Sequence, residues 1–116
     1  MKYVLLLFGT TQDAQRWEEM TEEARAQQYS QAGRWFGEHS AKIRGSHQLQ
    51  PAHTATSVRF ASGGEPIVSD GPFLEGNEVI GGYIEIEVAD LDEALQMAKT
   101  WPGRGTVEIR PVIEQR

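Results

Sequence analysis

The chain has 116 residues, of which 24% are charged, with a formal net charge of −6 and no cysteine. This length fits one domain and leaves no room for a separate catalytic module. The negative charge argues against nucleic acid or an anionic membrane surface as a partner. The absence of cysteine excludes disulfides, thiolate metal sites and cysteine nucleophiles. The longest apolar run, Val4 to Phe8, is too short for a signal segment or a membrane span, so we expect a cytoplasmic protein.

The N-terminal part of the chain predicts one strand followed by a long helical segment. Lys2 to Phe8 is a continuous apolar run ended by Gly9 and Thr10, a pattern typical of a central strand covered on both faces. From about Thr11 to Arg44 no proline occurs, and large apolar residues recur at roughly helical spacing. We therefore expect helix over this segment, broken once near Gly33.

The middle of the chain predicts a hairpin and then an irregular stretch. Thr54 to Phe60 is rich in β-branched residues and alternates in polarity, as strands do. Ser62 to Glu65 contains two glycines and predicts a hairpin turn into a short strand over Pro66 to Ser69. We expect the segment from Asp70 to Gly82 to be irregular.

The C-terminal part predicts a strand, a helix and a last strand. Tyr83 to Val88 alternates strictly between polar and apolar residues, which makes it the clearest strand of the chain. Asp90 with Glu93 approximates a capping box at the start of a helix that ends before Pro102. Thr106 to Val112 is the final strand.

The predicted order of elements is β-α-β-β-α-β, which indicates an α+β domain of ferredoxin-like build. In this fold an antiparallel sheet carries both helices on one face. The other face then needs a cover, and a chain of this length buries only about two-thirds of its unfolded surface. A second copy of the chain is the cover that we expect, so we predict a homodimer.

Several ordered motifs occur at fixed spacing along nearly the whole chain. They are Asp70 to Glu75 (DGPFLE), Glu78, Gly81 to Tyr83, Leu91 to Leu95 with Ala98, and Val107 to Val112, preceded by Met1 to Phe8, Leu49 to Pro51 and Thr54 to Arg59. Together these motifs resemble the YCII-related or DGPF family, with residues 1–116 as a single domain. The resemblance implies a dimeric α/β-barrel, in which two ferredoxin-like sheets face one another and leave a cleft between them.

The resemblance implies no settled reaction. Related barrels include small-molecule enzymes, and members of the family are often found beside sigma factors. Many relatives carry a histidine on the first helix, proposed to form a catalytic dyad with the aspartate of the later motif. That position falls near Ser30, beside Tyr29, so the helix histidine is absent here. Gly76-Asn77 stands where relatives usually have a Thr-Lys or Ala-Lys pair.

Asp70 and His53 are the candidate acid-base residues. Asp70 precedes Gly71 and Pro72, where a strand gives way to a loop, a common location for functional groups. The same carboxylate could instead cap an Asx-type turn, and both interpretations stay open. His53 precedes the second predicted strand and could transfer protons at the mouth of the cleft, or it could be an ordinary surface histidine.

The polar face of the Tyr83 to Val88 strand is the candidate binding surface. If Ile84, Ile86 and Val88 pack under the helices, Tyr83, Glu85 and Glu87 point toward the partner subunit. By the same parity Arg110 comes from the final strand and Arg59 from the second, so that Arg–Glu pairs would offset desolvation. Two interpretations stay open for this face: a polar cleft that binds a ligand, lined by Arg59, Tyr83, Glu85 and Arg110, and ordinary cross-strand salt bridges.

The sequence predicts neither a metal nor a cofactor. His39, His47 and His53 follow one another at spacings that match no metal-binding motif. Trp17, Trp35, Phe36 and Phe73 fit core and interface packing better than cofactor stacking. The function that we predict is binding of a small polar molecule, with cofactor-free proton transfer as its chemistry. The alternative is a non-enzymatic regulatory module whose partner is another protein, such as a sigma factor.

Overall fold

A computed structural model describes residues 1–73 and 76–114, so Leu74 and Glu75 of the Asp70 to Glu75 motif lie outside the described residues. The helices are α1 (Thr11–Glu19), α2 (Glu22–Glu38) and α3 (Leu91–Lys99), and a short 3₁₀ turn covers Ala52–Thr54. The strands are β1 (Lys2–Thr10), β2 (Ile43–Gln48), β3 (Thr56–Arg59), β4 (Ile67–Asp70), β5 (Glu78–Glu87) and β6 (Thr106–Pro111). None of the described helices is long and apolar enough to cross a bilayer.

Four of the strands form one antiparallel sheet in the order β2-β5-β1-β6. The other two, β3 and β4, pair only with each other in a separate two-stranded sheet. The order of the larger sheet is consistent with a ferredoxin-like α+β fold, in which β3 and β4 are an inserted hairpin. The predicted α+β class is therefore confirmed.

The strand β2, which pairs with β5 at one edge of the larger sheet, is not the strand that the sequence predicted there. Helix was expected as far as Arg44, and Thr54 to Phe60 was expected in the main sheet, whereas β2 occupies that place instead. The only large aliphatic residue of β2 is Ile43, so this edge strand has no alternating apolar pattern. β2 pairs with β5 through backbone hydrogen bonds, and a pattern of side-chain polarity does not reveal such bonds.

The break in the long helical segment lies at Met20 and Thr21 rather than at Gly33, which is inside α2. Thr21 caps α2 by accepting a hydrogen bond from the Ala24 N–H at 3.1 Å. At the start of α1, Thr10 and Asp13 form a reciprocal capping box. The hydrogen bonds from the Thr10 backbone and hydroxyl lower the pKa of Asp13 below its usual value. Side-chain caps therefore decide where these helices begin.

The core lies between the sheet and the two helices α2 and α3. Leu5, Ile84 and Ile86 are buried from the sheet side, and Ala94 and Met97 are buried from α3. Trp35 of α2 completes the core, and its indole N–H donates to the Met97 carbonyl at 3.2 Å and to the Thr100 hydroxyl at 3.1 Å. Helices on one face of the sheet, with the apolar side of β5 beneath them, confirm the predicted arrangement.

The molecule is flat and exposes an unusual amount of surface. Its radius of gyration is 16.4 Å, whereas a compact chain of this length has about 13 Å. Its accessible surface is 8753 Å², whereas compact monomers of 13.0 kDa expose about 6,300 Å². The surplus of about 2,400 Å² fits a sheet with one uncovered face and a hairpin that stands apart from it.

Alanine substitutions at two glycines with opposite environments test the backbone conformation described here. Gly105 has φ +91°, and a Cβ there would collide with the Phe8 carbonyl oxygen, whereas a Cβ on Gly33 in α2 would meet no neighbour. We expect Gly105→Ala to lower the free energy of unfolding by on the order of 3 kcal/mol. Gly33→Ala should raise it by about 0.5–1 kcal/mol. Urea denaturation measures both, and a loss of stability in Gly33→Ala would contradict a continuous α2.

Candidate functional site

The face of the larger sheet that points away from the helices, here called the open face, carries the predicted binding residues in two rows. One row crosses β5, β1 and β6 as Glu85, Val4 and Arg110, and the next crosses them as Tyr83, Leu6 and Glu108. Val4 and Leu6 are half-buried, whereas Glu85 and Arg110 are exposed. The predicted parity, which puts Tyr83, Glu85 and Arg110 on one face, agrees with this register.

The ion pairs on the open face differ from the predicted cross-strand set. Arg110 pairs within its own strand with Glu108 at 3.4 Å, and Arg44 of β2 pairs with Glu87 at 3.5 Å. Glu85 and Arg110 are separated by β1, so their backbones lie about 10 Å apart at the usual strand spacing. Within residues 1–73 and 76–114, Glu85 has no cationic side chain within 4.0 Å. The open face therefore offers one unpaired carboxylate between two paired ones.

β2 adds a histidine to the open face that the sequence analysis missed. His47 lies opposite Tyr83 in the β2–β5 register, and the two rings are 5.8 Å apart with a 53° tilt. An imidazole beside a phenol is a combination that can exchange protons with a bound molecule. Gly45 of β2 faces Glu85, and a Cβ there would come within 3.2 Å of the Glu85 Oε2 atom. A glycine at this position therefore leaves room for the Glu85 carboxylate.

The other predicted site residues lie on or beside the β3–β4 hairpin. Asp70 ends β4 opposite Thr56, and strand alternation puts Asp70 and Arg59 on opposite faces of the hairpin. The Arg59 guanidinium lies over the Phe73 ring at 5.2 Å, a cation–π contact. His53 is exposed in the 3₁₀ turn. Among the described residues, no hydrogen bond or ion pair joins Asp70, Arg59 or His53 to the open face of the same chain.

The turn after Asp70 is held by groups other than the aspartate. Gly71 has φ +94°, its N–H donates to the Ala55 carbonyl at 2.7 Å, and its carbonyl accepts from the Ser57 hydroxyl at 2.6 Å. In the part of the chain that the structure describes, the Asp70 carboxylate accepts no hydrogen bond. The Asx-type turn therefore has no support among these residues, and the carboxylate remains exposed to solvent.

A cavity on the helix side of the sheet was also missed, and we call it the helix-side cavity. It has a volume of about 500 Å³. The walls are mostly apolar, and small or polar residues complete them. The lining residues include Leu7, Trp17, Tyr29, Ala32, Phe36, Ser46, His47, Gln48, Gly82, Tyr83, Trp101 and Arg104. Trp17 and Phe36 were interpreted as packing residues, and their spacing in sequence gave no sign that they enclose a space.

The site of the missing family histidine lies beside this cavity. Tyr29 lines it and donates from its hydroxyl to the Gln48 amide oxygen at 3.3 Å, whereas the neighbouring Ser30 is exposed. Over residues 1–73 and 76–114 there is no group of three or more His, Asp or Glu side chains that could hold a metal ion.

Comparisons with known proteins agree on the family. The family model of the YCII-related domain matches residues 1–116. An uncharacterized protein of Rhizobium meliloti (strain 1021) is 33% identical to this chain over an alignment of 116 positions. The alignment covers 97% of this chain and 92% of that relative. The chain belongs to the family of YCII-related domains.

Proposed function

We propose that the chain forms a homodimer through its open face and binds a small polar molecule in the cleft between the two sheets. The observation that carries this proposal is the open face itself. It combines half-buried Val4 and Leu6 with exposed charged side chains on a molecule that exposes about 2,400 Å² more than a compact monomer. Obligate homodimer interfaces bury on the order of 2,000 Å² or more in total, which is about 1,000 Å² per subunit, so the surplus of one chain is large enough to supply that area.

The charges of the open face suit contact with a second copy. Arg44 and Arg110 stand beside Glu87 and Glu108, so the face carries both signs in near balance. An isologous interface brings the same surface together on both subunits, and a balanced face then avoids net repulsion. Glu85 has no cation within 4.0 Å in the described part of its own chain. In the dimer its carboxylate would accept a hydrogen bond either from the ligand or from an arginine of the second copy.

The ligand would be held by the polar residues of the two central rows. Glu85 accepts hydrogen bonds, Tyr83 donates or accepts one, and Arg110 supplies a cation at the other side of β1. His47 beside Tyr83 adds an imidazole that can donate or accept a hydrogen bond. These four polar residues around Val4 and Leu6 combine an apolar centre with a small number of polar groups, as small-molecule sites do.

The chemistry that we propose for the cleft is proton transfer without a cofactor, with Asp70 and His53 as the acid-base groups. Both residues are exposed: Asp70 ends a hairpin that is not paired with its own four-stranded sheet, and His53 lies in the 3₁₀ turn before that hairpin. Asp70 would reach the cleft if the hairpin packs against the second subunit by the face that carries Asp70, whereas Arg59 would reach it only by the opposite face. An isolated two-stranded hairpin is marginally stable in water, and this supports its packing on another surface.

A second candidate function follows from the apolar side chains of the same hairpin. Phe60, Val68 and Val58 are 80%, 65% and 51% exposed. Exposed apolar residues in one region are typical of protein–protein contact. If a different protein rather than a second copy covers the hairpin, the chain is a regulatory module, for which a sigma factor is the partner implied by the family resemblance.

The assembly proposal predicts the mass in solution. Light scattering at micromolar concentration should give about twice the chain mass of 13.0 kDa, because an interface of this size holds two subunits together at that concentration. A constant monomer mass over the accessible concentration range would remove both the dimer and its cleft.

Arg110→Ala should weaken the dimer and the binding of a polar ligand. The Arg110 side chain is partly desolvated if a second sheet covers it, and loss of one partner of such a pair costs on the order of 2 kcal/mol or more. Lys99→Ala on α3 is the control, because it removes an exposed cation elsewhere and should cost under about 0.5 kcal/mol. The measurements are the dimer dissociation constant and the thermal shift given by a hit from a metabolite screen. Equal small effects of the two substitutions would make Arg110 a surface residue.

Asp70→Asn separates a catalytic role from a structural one. The Asp70 carboxylate accepts no hydrogen bond from the described residues, so the melting temperature should change by less than about 2 °C. Turnover of the screened ligand should be abolished if this carboxylate moves the proton. Ser69→Ala, on the other face of the hairpin, is the matched control and should keep turnover. Unchanged turnover in Asp70→Asn would remove Asp70 from the mechanism.

A further inference from the structure

The helix-side cavity is separated from the open face by the sheet itself. Its volume of about 500 Å³ is within the range of about 300–1,000 Å³ that small-molecule sites occupy. It is bounded by α1, α2, the ends of β1, β2 and β5, and the segment after α3. The lining residues include His47 and Tyr83, which the register assigns to the open face, but neither Glu85 nor Arg110. A ligand here would therefore not depend on the charged residues of the proposed dimer cleft.

The aromatic walls of the cavity suit a flat apolar body. Trp17 meets Tyr29 edge-to-face, with ring centroids 5.3 Å apart and planes at 88°. Phe36 meets Trp101 in the same way, at 5.9 Å and 83°. Edge-to-face pairs leave ring faces and edges available, against which another aromatic system can pack. The walls therefore favour a planar ring ligand over a flexible chain.

Small residues keep the cavity open. Gly82 of β5 is buried at the cavity wall, and a Cβ there would come within 2.9 Å of the His47 carbonyl oxygen and 3.6 Å of Leu7 Cδ1. Ala32 of α2 lines the cavity from the helix side. Gly82 therefore permits the close approach of β2 to β5 at the cavity wall, and a larger side chain at Ala32 would reduce the space between the helix and the sheet.

The polar groups of the cavity favour an anion. Arg104 contributes a cation to the wall, and no Asp or Glu is among its described lining residues, although the chain has 17 acidic residues. Gln48 accepts from Tyr29 through its amide oxygen, which leaves its amide N–H₂ group as a donor. Arg104 has a weak electrostatic effect on one acidic side chain, that of Asp13. Its carboxylate already accepts from Thr10 and pairs with Arg16.

From these features we infer that the helix-side cavity binds a planar aromatic acid. The ring lies between the Trp17–Tyr29 and Phe36–Trp101 pairs, and the acid group faces Arg104 and the Gln48 amide. The aromatic pairs supply apolar contact that does not depend on charge. The guanidinium supplies a charge-assisted hydrogen bond that only the anion can accept.

The test titrates the full chain with naphthoate and with naphthylmethanol, which share a ring system and differ in the acid group. Binding is followed by calorimetry and by quenching of tryptophan emission, since Trp17 and Trp101 line the cavity. Naphthoate should bind at least about tenfold more tightly than naphthylmethanol. Arg104→Gln should remove this difference and leave the affinity for naphthylmethanol unchanged. Lys99→Gln makes the same change of net charge outside the cavity and should affect neither ligand.

A second variant keeps the test independent of Arg104. Ala32→Phe, at a helix position where the added ring would project into the cavity, should abolish binding of both ligands while the circular dichroism spectrum is retained. No binding of either ligand by the unmodified chain at millimolar concentration would overturn the site. Equal affinities for the two ligands, or an Arg104→Gln variant that keeps the tenfold preference, would overturn the assignment to acids. The mass in solution, measured in the same samples, tests the proposed dimer separately from the cavity.

Discussion

The four-stranded sheet has helices on one face only, and most features of the molecule follow from this one-sided burial. Strand alternation divides β5 into Ile84 and Ile86, which are buried beneath α2 and α3, and Glu85, which is exposed on the opposite side. Trp35 fixes the helix layer through its hydrogen bonds to the Met97 carbonyl and the Thr100 hydroxyl. Since each strand has only two faces, the packing that forms the core also determines which residues remain for binding.

The two faces of the sheet offer different chemistry. The open face is polar with a narrow apolar centre at Val4 and Leu6, and its charges are nearly balanced. The helix side ends in a cavity with aromatic walls and a cation at Arg104. A surface of the first kind suits a second subunit with a polar molecule between the sheets, and a cavity of the second kind suits a flat anion. The proposed assembly and the proposed binding of an aromatic acid would therefore use opposite sides of one sheet.

Much of the fold could be predicted from the sequence, because the strands that bury one side have alternating polarity. Tyr83 to Val88 is the clearest case, and its predicted faces agree with the structure. β2 could not be predicted, since it is an edge strand with Ile43 as its only large aliphatic residue, and Arg44 and His47 were missed with it. The expected position of Arg59 in the main sheet was wrong for the same reason. Gly33 was a misleading signal, because the Thr21 cap determines where α2 starts.

The candidate site was predicted only where it depends on strand parity. Tyr83, Glu85 and Arg110 share a face because they occupy equivalent positions on paired strands. The helix-side cavity was out of reach, because it is a space between residues from Leu7 to Arg104 that no local pattern connects. Gly82 at its wall permits the close approach of β2 to β5, because a Cβ there would collide with the His47 carbonyl oxygen. Sequence patterns indicate which residues are buried, but they do not indicate where packing is incomplete.

The central claim, that a second copy covers the open face, is tested most directly by thiol accessibility. The chain has no cysteine, so a single Glu85→Cys substitution on the open face and a single Lys99→Cys substitution on α3 each give one reporter. The rate of alkylation is measured across a range of protein concentrations. We predict that the thiol at position 85 becomes protected as concentration rises, whereas the thiol at position 99 reacts at a constant rate. Equal, concentration-independent rates at both positions would contradict the claim that the open face is an interface.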